Sequence, residues 1–223
     1  MKRLTEQLFE AGRWIAEALS RLSFRGDTAP IDSVDRVFEF VSTRAALVTQ
    51  KKLYGYLKER IGLRYPAMFE DDEFAQSIDI AKMQVFAASL SDLTVYAVAL
   101  VSSGGGLEQD GTRRALALAC YRAGIADNAD KVVDVRSPAA WVADFERRLD
   151  ETLWGNIASG ASPFVESPKA LIRWAPIADE HKKYDREIVE NSMRFAWNEI
   201  RQDFRTRLDA RAVVADWTTR APG

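Results

Sequence analysis

Cysteine and histidine are nearly missing from this chain of 223 residues: it has one of each, Cys120 and His181. A single cysteine excludes a disulfide within the chain and any zinc or iron–sulfur site built from several thiolates. A single histidine excludes a site that needs two imidazoles from one chain, including a di-iron centre of paired Glu-x-x-His motifs. Glycine and proline are sparse, 12 and 7 residues, and neither forms a collagen-like or low-complexity stretch. No excess of one charge exists either, since 31 Lys+Arg against 33 Asp+Glu leave a formal net charge of −2. That balance, with no helix-turn-helix or zinc-finger signature, argues against nucleic acid as a partner. The longest apolar run, residues 85–101, carries Asp92 near its centre. It falls short of the roughly 20 residues of a membrane span and reads as a buried core helix. Met1-Lys2-Arg3 opens as signal peptides do, but Glu6, Glu10, Arg13 and Glu17 break the uncharged stretch that must follow. The expected location is the cytoplasm, with contact at the inner-membrane surface left open.

What the sequence does have is helical periodicity, with no clear alternating strand pattern. Leu4, Leu8, Ala11, Ile15, Leu19 and Leu22 recur at helical spacing, so residues 1–24 read as an amphipathic helix that can pack on the rest or act as an arm. Phe9 and Trp14 broaden its apolar surface. A second helix starts at Asp32 or Ser33, which can cap it, and runs to Gly62 with Val34, Val37, Val41, Ala45 and Val48 inward. Gly55 suggests a bend or a close helix contact there. Residues 71–102 form the third helix, apolar on most sides and therefore central, with acids at Asp71, Asp72 and Glu73 suiting its positive end. Gly104-Gly105-Gly106 reads as a flexible end and the one internal hinge.

A fourth helix covers residues 111–124, with Asp110 or Thr112 as its cap. Ser137-Pro138 starts a fifth, whose inward face is Trp141, Val142, Phe145, Leu149, Leu153 and Ile157; Ser167-Pro168 starts a short sixth by the same device. In the loop ahead of the fifth helix, Val132 to Val135 could be extended. The last helix is expected as one long rod over residues 182–215, with Glu190–Arg194 and Asp203–Arg207 as surface ion pairs. The expected fold is all-α: a single bundle of six or seven helices over residues 31–217, built around the helix at 71–102.

Chemistry-bearing residues are few. Arg44, Lys51 and Lys58 repeat every seven residues along one helix face, Tyr54 and Tyr56 interleave, and Arg64 follows. That pattern suits an anion, an acidic partner or a lipid headgroup, or else a solvated face opposite the acids at Glu70, Asp71, Asp72, Glu73 and Asp79. Those acids lack the spacing that holds a diphosphate through divalent metal, and they suit a helix start, so no metal site is expected. Asp92 sits on an apolar stripe, where a carboxylate needs a buried partner and can serve catalysis. His181 lies in a polar Asp-Glu-His-Lys-Lys run; any Ser-His-acid triad must use it, with a loop serine, although no Gly-x-Ser-x-Gly elbow exists. Cys120 sits mid-helix among small apolar residues and reads as buried and inert. No glycine-rich phosphate loop occurs, and no cofactor is expected.

The stretches Gln50-Lys51-Lys52-Leu53-Tyr54-Gly55-Tyr56-Leu57-Lys58-Glu59-Arg60, Arg64-Tyr65-Pro66-Ala67-Met68-Phe69-Glu70-Asp71-Asp72 and Ile80-Ala81-Lys82-Met83 resemble a group of small helical alphaproteobacterial proteins often labelled esterases. The resemblance covers about residues 40–100, implies acyl-ester hydrolysis, and transfers no catalytic residue. The leading expectation from the residues is an adaptor or assembly factor that binds a protein partner or a further copy of itself. An esterase-type hydrolase using His181, and a small-ligand binder with Asp92 in its pocket, are the alternatives.

Overall fold

The computed structural model describes residues 28–62, 68, 70–128 and 137–220, and the following statements concern those residues. The amphipathic stretch at 1–24, the extended reading at 132–135, and Arg64 and Tyr65 lie outside them. Among the described residues the fold is all-α, with nine helices: α1 Val34–Ile61, α2 Asp72–Gly105, α3 Asp110–Ala126, α4 Pro138–Asp150, α5 Trp154–Ala158, α6 Glu166–Trp174, α7 Asp179–Lys182, α8 Arg186–Arg207 and α9 Ala210–Arg220.

α2 forms as its composition requires. Asp71 caps it by accepting from the Glu73 and Phe74 backbone N–H groups at 2.9 and 3.3 Å, and Gly106 closes it at φ +78°. Ile78, Ala81, Val85, Leu90, Leu93, Ala97 and Val101 are all buried, and α2 packs against α1, α3, α5, α6 and α9. It is long and apolar enough to cross a membrane, but its apolar surface is spent on these neighbours. Stacking of Tyr121 on Phe145 joins α3 to α4, and Phe40–Phe204 joins α1 to α8.

Several expectations need correction. The last rod is two helices. Leu208 turns extended after α8, and Ile31 satisfies the two backbone groups freed there: its N–H donates to the Arg207 carbonyl at 2.8 Å and its carbonyl accepts from Asp209 at 2.9 Å. Asp209 then caps α9 through the Ala212 N–H. The glycines at 104 and 105 are no hinge but helix interior pressed on α9, where a Cβ on Gly104 would lie 2.9 Å from the Ala210 Cβ. Gly55 sits inside the continuous α1, and a Cβ there would meet nothing within 4 Å, so the close helix contact is not made. The fifth helix stops at Asp150, leaving Leu153 exposed and Ile157 on the separate α5. Ser137 caps α4 as expected, whereas Ser167 lies inside α6 and turns its hydroxyl elsewhere. Gln109, not Asp110 or Thr112, precedes α3. Glu190 pairs with Arg186, while the Asp203–Arg207 pair forms at 3.5 Å.

Candidate functional site

Asp92 is fully buried and at the centre of a polar knot. One of its oxygens accepts from Arg148 Nη1 at 2.8 Å and the Glu166 N–H at 3.2 Å; the other accepts from the Ser167 N–H at 2.8 Å and the Ser167 hydroxyl at 2.7 Å. Arg148 also donates to Ser91 Oγ and to the Pro163 carbonyl, and the Trp197 indole N–H donates to Ser167 Oγ at 3.1 Å. Burial, the largest influence, pushes the Asp92 pKa up; Arg148 and Ser167 oppose it. The carboxylate acts as the N-terminal cap of α6, supplied from α2, and every neighbour donates to it. Four donors occupy its two oxygens, and the knot they form ties α2, α4, α6 and α8 together at this point.

His181 is exposed on the four-residue α7. Among the described residues no hydrogen bond joins its ring to a serine or a carboxylate. Ser159 Oγ donates to the Gly155 carbonyl one turn back, and Ser102 is a buried residue of α2. The structure does not bring a Ser-His-acid triad together. Cys120 is buried, and burial, only partly opposed by the Thr94 hydroxyl, raises its thiol to about 12. No cluster of metal-ligating side chains occurs among the described residues.

The basic face separates. Arg44 is buried, bridged to Asp203 at 3.2 Å and stacked over Phe40, so it belongs to the α1–α8 seam. Lys51 and Lys58 are exposed and Tyr54 is half-buried. Among the described residues no ion pair joins either lysine to the acids at 70–73, and their neighbours Lys52, Tyr56 and Arg60 find partners around α8. Lys52 donates to Ser192 at 3.0 Å, and Tyr56 to the fully buried Asp185 at 2.6 Å, which Arg60 also pairs. Burial raises the Tyr56 phenol, with Arg60 opposing. Asp185 escaped sequence reading because a charged residue in a polar run carries no mark of being buried.

The feature that stands out on the surface also went unread. Tyr184, Ile188 and Phe195 are large apolar side chains that stay 79%, 64% and 73% exposed. Their spacing, four and seven residues, puts them on one line of α8 and the turn before it. The core face of α8, Val189, Met193, Trp197, Ile200 and Phe204, lies on the opposite side. The signal was in the sequence as a second apolar stripe out of phase with the first. Because α8 packs on α1, the exposed Lys51 and Lys58 belong to the element alongside it.

No protein-family model, curated protein or solved structure matches this chain.

Proposed function

We propose that the chain is a helical adaptor or assembly factor whose docking face is the outer line of α8. One observation carries the reading: three large apolar residues in register, Tyr184, Ile188 and Phe195, are left in water on a helix already anchored by its other side. Aromatic side chains are the residues that dominate protein contacts, and ones presented in a row on a rigid rod give an interface without an ordering cost. Lys51 and Lys58 on α1 supply charge at the rim, which sets orientation and encounter rate more than affinity. In this reading the helices form one cytoplasmic bundle around α2, and Asp92 and His181 take no part in chemistry.

The test is a photo-cross-linking residue placed at Phe195, compared with the same residue at the exposed Glu108. A discrete cross-linked protein product at position 195 and none at 108 is the expected result. Equal labelling at both positions, or none at 195, removes the docking face.

A further inference from the structure

We infer that the occupant of this face is a second copy of the chain, its α8 running parallel to the first about a two-fold axis; the inference rests on the docking-face reading above. Along the outer line the residues are Tyr184, Ile188, Asn191, Phe195, Asn198 and Gln202, spaced by alternating steps of four and three. That is the spacing of a coiled-coil seam. Three positions are apolar, three are amides, and none is charged. α8 keeps its charged residues off this line: Arg186 and Glu190, which pair with each other, lie round the helix from it.

The amides decide in favour of a copy. A side-chain amide both donates and accepts, so Asn191 and Asn198 can each bond the same residue of a second copy, which a carboxylate or ammonium cannot do. In a parallel pair, Ile188 meets Ile188 of the second copy and Phe195 meets Phe195, with the amide layers between them fixing register. The flanks agree. Arg194 and Glu199, both exposed, are five residues apart and border the seam on opposite sides. In a parallel pair each Arg194 reaches Glu199 of the second copy, giving two symmetric ion pairs. An antiparallel pair centred on the same face would set Arg194 against Arg194. About 21 Å of helix, from Ile188 to Gln202, carries the seam, a short interface, so micromolar association is expected.

The experiment is sedimentation equilibrium of the full chain over a micromolar concentration series. The wild type should show a monomer–dimer equilibrium, and Phe195→Glu should weaken it by about thirty-fold or more. Phe195 is exposed, so circular dichroism of that variant should match wild type. Arg194→Glu and Glu199→Arg should each weaken association, and the double variant should restore it. Thr218→Glu, on α9, should leave it unchanged. A wild type monomeric throughout, or a double variant no tighter than the singles, overturns the inference. The cross-linking test at position 195 separates the two readings. Capture of a different protein by a monomeric chain removes the second copy and keeps the docking face. A product between position 195 and the chain's own residues 1–27, or no product, removes both.

Discussion

At the scale of single residues, the molecule places its acids as caps for helices distant in sequence. Asp92 on α2 receives the first N–H groups of α6, and Asp216 on α9 receives the Val34 N–H at the start of α1 at 2.8 Å. Asp92 was legible as a buried carboxylate in need of a partner, because it interrupts an apolar stripe. Its partners were not, since Arg148 and Ser167 are brought to it only by the fold. Ser33 and Ser167 look like local caps for the same reason: the capping rule sees the neighbouring backbone and not a carboxylate arriving from elsewhere. Asp92→Ala should cost about 3–5 kcal/mol in urea unfolding, because it removes the counter-charge of Arg148 and leaves two N–H groups and a hydroxyl without their acceptor. A loss under about 1 kcal/mol would show that the knot is not a joint. Asp35 gives a pH prediction of the opposite character, at the surface. Hydrogen bonding from Arg220, at 2.7 and 2.9 Å, holds its pKa below the ordinary carboxylate value, with the slight burial opposing. A depressed folded pKa means the contribution is present above the ordinary value and is lost as pH falls through the depressed one. In Arg220→Gln, NMR titration should find Asp35 back in the ordinary range; an unmoved value would assign the depression to something else.

At the scale of elements, glycine is where sequence and structure part most clearly. Gly55 invited a bend or a close contact and the run at 104–106 a hinge, yet the first sits in open space on a continuous helix and Gly104 and Gly105 of the second are a contact. Glycine permits a bend, and it equally permits another helix to come close; which of the two applies depends on a neighbour that the local sequence does not name. Two substitutions of the same kind should therefore act in opposite directions. Gly55→Ala should stabilise by about 0.5–1 kcal/mol, since it gains helix propensity and meets nothing within 4 Å. Gly105→Ala gains the same propensity but drives a methyl group into the Val214 side chain and the Ala210 carbonyl oxygen. It should lose about 1–3 kcal/mol net. Thermal melts of the two variants beside wild type check the pair, and equal signs would contradict it. The existence of the long helices was readable because their stripes run for many turns. The break between α8 and α9 was not, because Leu208 keeps the stripe in phase and neither glycine nor proline marks the turn; only Asp209, as a cap, hints at a new start.

At the scale of the whole molecule, the two ends of the described chain hold each other. Residues Ala29 and Ile31 are bonded to Arg207, Ile31 also to Asp209, and α1 begins against α9 through the Asp216 cap and the paired Asp35–Arg220. α9 carries only one fully buried apolar residue, Val213, but it covers the glycines of α2 and packs on α1 as well. A chain ending at Leu208 loses several contributions together. They are the burial of Val213, about 1.5–3 kcal/mol; the trans cap on α1, about 1 kcal/mol; and the cover over the C-terminal turns of α2, where Val98 and Val101 are buried. A helix as apolar as α2 cannot stand partly in water, so the loss spreads from one end of the core rather than fraying a terminus. Against a total stability of about 5–15 kcal/mol for a domain, the truncated chain should keep most of its helical signal yet melt without a cooperative transition and bind a hydrophobic dye. A truncated chain that still unfolds in one sharp step, within a few degrees of the full chain, would reduce α9 to an appendage. It would also leave the contact at Ile31 and Leu208 without the role of joining the two ends of the described chain.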